Sequence, residues 1–235
     1  MEPGFYCMDC MEAMREFPDG FFDLAIVDPP YGINADMFRN GTMNNKDNAK
    51  PEGTALRLRK GRLNSGAGKL KNRMLNNSDC SWDNEPPPRA YFDELRRVSK
   101  NQIIWGGNYF DLPPTRCICV WDKVQPWENF SQVEMAWTSF DRPAALFRMN
   151  NCMSGKIHPT QKPVELYTWA LKRFAKPGDK ILDTHVGSAS SLIACHRAGL
   201  DFWGFEIDPV YYRAAKERLE RETAQMRMDL GGWGT

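Results

Sequence analysis

Histidine is scarce in this chain, with three among 235 residues, and none stands three to five positions from another, as a zinc finger requires. Cys7 and Cys10 form a Cys-x-x-Cys pair, but no second such pair completes a metal or redox site, so no metal is expected. The seven cysteines are odd in number and scattered, and Cys117, Cys119 and Cys195 sit in apolar stretches, which reads as reduced thiols rather than a disulfide framework. No apolar run approaches the ~18 to 20 residues needed to span a bilayer. The start Met-Glu-Pro-Gly-Phe also lacks the basic and apolar regions of a signal peptide. A cytoplasmic protein without a membrane partner is expected. Hydrophobic residues at 42% and charged residues at 26% exclude fibrous and wholly disordered classes. No linker divides the chain, so residues 1–235 are read as one domain.

Valine and isoleucine are missing from one long stretch, between Ile33 and Val98, so no buried strand can be read there. That stretch concentrates an excess of basic charge. From Arg39 to Arg73 ten Lys or Arg face only Asp47 and Glu52, giving +8 in a chain whose net charge is +1. A basic insertion at about 36–80 results. It is either a solvated loop or a binder of a polyanion, whose counterions clustered cations displace. In the second case Arg57, Arg59, Lys60, Arg62, Lys69, Lys71 and Arg73 are the candidate contacts.

The remainder alternates strands with helices. Phe22–Val27, Gln102–Trp105, Cys117–Trp121, Val133–Trp137, Lys180–Asp183 and Phe202–Glu206 are apolar runs of strand length. Arg89–Ser99, the segment after Pro163, Ser190–Ala198 and the segment containing Tyr211, Ala215 and Leu219 repeat apolar residues at helical spacing. This predicts a Rossmann-like α/β fold, a mostly parallel sheet with helices on both faces. The tail from Gln225 to Thr235 is expected to fray.

Two constellations carry chemistry. Lys180–Asp183 runs into a small-residue turn, Thr184-His-Val-Gly-Ser188, that opens a helix, and Glu206 closes the next strand 23 positions after Asp183. Such a carboxylate can accept from both ribose hydroxyls of a nucleoside. The turn lacks the three glycines that bring a pyrophosphate against a helix, and Asp183 would repel a diphosphate. It would instead attract an amino-acid ammonium, which fits S-adenosylmethionine; an ordinary helix start is the structural alternative. The second constellation is Asp28-Pro-Pro-Tyr31 at the end of an apolar strand. Two prolines stiffen the turn and leave carbonyl oxygens free beside a carboxylate and a ring, a set suited to a flat amine. A purely structural turn remains open at this point.

Asp28-Pro-Pro-Tyr31 resembles the catalytic motif of the amino-group (N-4/N-6) DNA methyltransferases, and Asp183-Thr-His-Val-Gly-Ser188 resembles their cofactor loop, Asp-x-Phe-x-Gly-Ser-Gly. His158-Pro-Thr-Gln-Lys-Pro163 is similar to the segment that precedes that loop. Met8-Asp9-Cys10, ahead of the first apolar strand, is similar to the cofactor-adenine segment of the permuted, beta-type members. The resemblance covers most of residues 5–31 and 156–222 in the family order. His185 and Ala189 depart from it, replacing the aromatic and the second glycine of the loop.

The resemblance implies transfer of methyl from S-adenosylmethionine to the exocyclic amine of a base flipped out of double-stranded DNA. Adenine N6 is the expected target because Asp28 stands where many cytosine N4 enzymes carry Ser. Asp28 and the Pro29 carbonyl would accept the amine protons, with Pro30 stiffening the turn and Tyr31 stacking on the base. Asp183, Gly187 and Ser188 would hold the methionine end with His158, Thr160 and Lys162 nearby, Glu206 the ribose, and Asp9 and Cys10 the adenine. Cytosine N4 methylation, methylation of RNA or of a protein glutamine, and an inactive DNA-binding module are the rivals. Tyr109 and Phe110, after Trp105-Gly-Gly-Asn108, are second candidates for the base pocket, with core packing the favoured reading. A homodimer is typical of the family.

Overall fold

A computed structural model describes residues 1–32, 85–125, 131–151, 155–158 and 160–229, the side chains of 225–229 excepted. Among the described residues eight strands form one sheet: β1 (Gly4–Cys7), β2 (Leu24–Val27), β3 (Gln102–Trp105), β4 (Ile118–Asp122), β5 (Val133–Thr138), β6 (Ala145–Arg148), β7 (Lys180–Asp183) and β8 (Asp201–Glu206). Their order is β1-β8-β7-β2-β3-β5-β4-β6. The first five in that order pair in parallel, whereas β5 runs antiparallel to both β3 and β4. Among the described residues five α-helices accompany the sheet: α1 (Cys10–Arg15), α2 (Arg89–Val98), α3 (Val164–Phe174), α4 (Ser190–Ala198) and α5 (Pro209–Asp229).

Alternation along the strands divides the core into two layers. Leu24 and Ile26 of β2, with Ile103 and Trp105 of β3, pack on one face against Leu166, Ala170 and Ile193 from α3 and α4. Ala25, Val27 and Ile104 point to the other face, against Ala13, Met14, Tyr91 and Leu95 from α1 and α2. Both faces of the central strands are therefore covered, which explains why β2 and β3 read as unbroken apolar runs.

The Rossmann-like, mostly parallel architecture matches the expectation. Three elements were not anticipated: β1, β6 and the short α1, which starts because the Asp9 carboxylate accepts from the Met11 N–H at 2.6 Å and the Glu12 N–H at 3.3 Å. One expectation is corrected. Within the tail α5 continues past Gln225 to Asp229 through Gln, Met and Arg, which are good helix formers, while residues 230–235 lie outside the described residues. The basic insertion at about 36–80 falls outside the described residues.

Candidate active site at the carboxyl edge of the sheet

Parallel strands present their carboxyl ends along one edge, and five neighbouring strands deliver the candidate residues there. β7 ends at Asp183 and β8 at Glu206, β2 leads to Asp28, β1 leads to Asp9 and Cys10, and β3 leads to Gly106 and Tyr109. β2 and β7 are direct parallel partners, with Leu24 opposite Ile181 and Ala25 opposite Leu182. The two constellations read from the sequence are thus adjacent rather than at opposite ends of the sheet. The antiparallel hairpin adds Lys123 and Glu134 at the same edge, since Trp121 stands opposite Glu134.

Around Asp28 the structure shows a dense set of contacts. The Tyr31 hydroxyl donates to Asp28 Oδ1 at 2.6 Å, and the Lys162 ammonium donates to Oδ2 at 2.6 Å and to the Tyr31 oxygen at 3.1 Å. The Tyr31 ring lies against Gly106, whose φ is +71°; a Cβ there would come within 2.2 Å of the ring. Glycine is required at this position both for its left-handed backbone and for the missing side chain. Tyr31 also stacks on Tyr109, with centroids 4.9 Å apart and planes 14° from parallel. Tyr109 is 45% exposed, which corrects its reading as core, whereas half-buried Phe110 packs on Phe92. The error arose because a Gly-Gly-Asn turn after a strand gives no sign of which way the following ring points.

At the neighbouring strand end, Asp183 is buried. The Ser191 hydroxyl donates to one carboxylate oxygen and the His185 N–H to the other at 3.0 Å. Burial, with smaller contributions from Asp28 and Glu206, raises its carboxyl to about 7. Glu206 accepts from the Gly187 N–H at 2.9 Å and the Asp208 N–H at 3.0 Å, and burial raises its pKa. The buried His158 ring covers Gly187 and meets Tyr211 edge-on, with Thr160 at 3.1 Å from its Nδ1. Ser188 offers its hydroxyl to Ser190 at 3.2 Å, and its carbonyl accepts from Arg218 at 2.6 Å. Ala189, with φ +63°, occupies the left-handed position before α4.

The placement of Lys162 has two parts. Its carbonyl accepts from the Ser190 hydroxyl at 2.7 Å, beside the loop, while its ammonium points to Asp28. Sequence reading also passed over Lys123, Glu134, Tyr91 and Arg218, whose contributions depend on cross-strand and cross-helix contacts that no local motif announces. Tyr91 on α2 bonds Thr184 Oγ1 at 2.6 Å, and Thr184 in turn meets His185 Nδ1 at 2.9 Å.

Beside these groups lies a cavity of about 360 Å³, walled by Met8, Asp9, Cys10, Pro30, Pro86, Tyr91, Thr184, His185 and Glu206 among others. Pro30 comes from the first constellation, and Thr184, His185 and Glu206 from the second, so both border one space. Burial pushes the Cys10 thiol up to about 12, so it is a neutral wall rather than a nucleophile. Arg57, Arg59, Lys60, Arg62, Lys69, Lys71 and Arg73 lie outside the described residues. Among the described residues no helix is long and apolar enough to cross a membrane.

Comparison with known proteins agrees with this geometry. Residues 117–217 match the family described as DNA methylase. The type II methyltransferase M2.DpnII of Streptococcus pneumoniae is 32% identical over 150 residues, 64% of this chain and 52% of that protein. M2.LlaDCHI of Lactococcus lactis subsp. cremoris is 29% identical over 149 residues, 63% of this chain and 52% of that protein. The chain spans about half the length of these curated relatives. Among solved structures, the cytosine-N4-specific PvuII DNA methyltransferase superposes with a TM-score of 0.56 at 14% identity, covering 96% of this chain and 92% of that one. The M1.HpyAVI–SAM complex gives 0.53 at 14%, covering 92% and 98%. The chain shares its fold with these solved methyltransferases, and its residues 117–217 match the N6/N4 DNA methylase family.

Proposed function

We propose that the protein transfers a methyl group from S-adenosylmethionine to the exocyclic amine of a base flipped out of double-stranded DNA, with adenine N6 the target. One observation carries the reading: Asp28 and Asp183 stand at the ends of adjacent parallel strands on the same edge, and the turns that follow them border one cavity through Pro30 and through Thr184 and His185. Among the described residues the cavity wall includes Asp9, Glu85 and Glu206 and no Lys or Arg, which disfavours a phosphate-bearing nucleotide and suits a cationic one. Its volume is that of a small-molecule site. On this reading Glu206 would hold the ribose, Asp183 the ammonium, and Asp9 and Cys10, with Met8, the purine edge, while His158 covers Gly187.

When bound, the cofactor supplies an electrophilic methyl on a sulfonium. The chain's own part is to prepare the amine, whose lone pair is delocalised into the base and poorly nucleophilic. Asp28 and the Pro29 carbonyl accept the two N–H groups, localise the lone pair on nitrogen and orient it. The carboxylate then receives the proton that nitrogen sheds after methylation. Tyr31 and Tyr109 provide aromatic surface for the extruded base, where stacking contributes roughly 1 to 3 kcal/mol. The basic segment that includes Arg57–Arg73 would bind the phosphate backbone. The protein acts in the cytoplasm on this reading.

The test is transfer of radiolabelled methyl to duplex DNA, followed by digestion to nucleosides. N6-methyladenine is the expected product, and Asp28→Ala abolishes transfer while retaining cofactor binding. N4-methylcytosine would move the target base, and label in RNA or protein alone would overturn the DNA reading.

A further inference from the structure

We infer that Glu134 is a positioning residue for the reaction proposed above, sharing the Lys162 ammonium with Asp28 and so setting how tightly that ammonium grips the catalytic carboxylate; the inference rests on that functional reading. Lys162 Nζ lies 2.6 Å from Asp28 Oδ2 and 3.0 Å from Glu134 Oε2, and Lys123 Nζ lies 2.5 Å from Glu134 Oε1. The four charges alternate in sign, Asp28, Lys162, Glu134, Lys123. Their side chains are 15%, 3%, 22% and 11% exposed, so water screens them little.

Four separate parts of the chain meet here. Asp28 follows β2, Glu134 lies on β5, Lys123 follows β4, and Lys162 precedes α3 while its carbonyl is held by Ser190 at the start of α4. An ammonium bonded to Asp28 alone would neutralise it and blunt its ability to accept from an amine. Divided between two carboxylates, the same ammonium keeps Asp28 charged without saturating it. Lys123 in turn balances Glu134, so the added negative charge is itself paired.

The groups facing Asp28 are Lys162 and Tyr31, then Glu134 from β5, Tyr167 from α3, Tyr91 from α2 and Asp183 from β7. Burial raises the Asp28 pKa, Lys162 opposes that rise, and Glu134 adds to it. Removing Lys162 and removing Glu134 must therefore move Asp28 in opposite directions. A network that merely ties β5 to the segment before α3 has no reason to do so.

The experiment uses the full chain as wild type, Lys162→Met and Glu134→Gln. It follows Asp28 by carboxyl-¹³C NMR titration, assigned with Asp28→Asn, and by the acid limb of the kcat profile for methyl transfer to duplex DNA. Both readouts are expected to move to higher pH in Lys162→Met and to lower pH in Glu134→Gln. Loss of Lys162 should also lower kcat at neutral pH roughly 100-fold through misplacement of the carboxylate. If Lys162→Met does not fold, the Glu134→Gln arm decides alone. An Asp28 titration that stays at its wild-type position in Glu134→Gln overturns the inference even if the enzyme turns over. Opposite shifts without any methyl transfer by the wild type would instead sink the proposed function and leave the coupling of the side chains standing.

Discussion

Replacing Asp183 by Asn should stabilise the protein at alkaline pH and weaken cofactor binding in the same stroke. Burial raises the Asp183 carboxyl from its ordinary 3.8 to about 7. At 1.36 kcal/mol per pH unit, ionising it within the fold costs about 4 kcal/mol more than ionising it in the unfolded chain. Because the folded pKa lies above the unfolded one, the cost is absent below about pH 4, grows from there to pH 7 and is complete above it. The amide of Asn carries no charge and escapes the cost. It also cannot accept from both the Ser191 hydroxyl and the His185 N–H, which forfeits roughly 1 to 2 kcal/mol. The balance is a gain of about 2 kcal/mol at pH 8, or roughly 4 to 8 °C in Tm, and a loss of about 1 to 2 kcal/mol at pH 4. His185, whose imidazole burial holds near 4, gives wild type and variant the same opposing acid-side trend, so their difference isolates Asp183. Urea unfolding at pH 4, 6 and 8 measures the crossover. Equilibrium dialysis with S-adenosylmethionine should show binding weakened roughly 10- to 100-fold, the loss of one charge-assisted contact. A variant no more stable than wild type at pH 8, with the same pH slope, would refute the reasoning about the buried carboxylate.

Gly106→Ala should leave cofactor binding intact and cut methyl transfer by roughly 100-fold, because the new Cβ would displace Tyr31 and with it the hydroxyl on Asp28; single-turnover transfer beside a binding isotherm checks this. Ala189→Gly should change stability by less than about 0.5 kcal/mol in urea unfolding. Relief of a left-handed non-glycine residue, about 1 to 2 kcal/mol, is offset by a lost buried methyl of about 0.8 and the added freedom of an unfolded glycine. Neutralising Arg57, Arg59, Lys60 and Arg62 together should flatten the dependence of log K on log salt for duplex DNA by about 3 to 4, measured by fluorescence anisotropy; an unchanged slope would remove that segment from the interface.

Much of the central sheet could be read from residues alone because β2, β3, β7 and β8 are short apolar runs with a proline pair, a turn or an acidic residue at the end. The elements that escaped are those whose pattern is weak. Phe5 and Tyr6 of β1 are only half-buried at the sheet edge, α1 is a single six-residue helix held by Asp9, and β6 exposes Leu146. The proposed site divides in the same way. Asp28, Asp183 and Glu206 stand at strand ends inside contiguous motifs, so their positions followed from the fold. Glu134 and Lys123 belong to a hairpin whose register decides that they reach Lys162, and register depends on partners far apart in sequence. For Lys162 the motif located the residue correctly along the chain, while the direction of its long side chain was settled only by the carboxylates around it.

Strand spacing acts as a ruler for the proposed chemistry. β2 and β7 are bonded neighbours, so the backbones that carry Asp28 and Asp183 are separated by a lattice constant of the sheet, about 4.8 Å between strands and 3.3 Å per residue along them. A slip of one residue between these strands would turn Asp28 to the opposite face and displace it along the edge, whatever the surrounding loops did. Drift in the loops would therefore be cheap for the proposed reaction to absorb, whereas the two ladder pairs joining Leu24 to Ile181 and Ala25 to Leu182 would hold its distance.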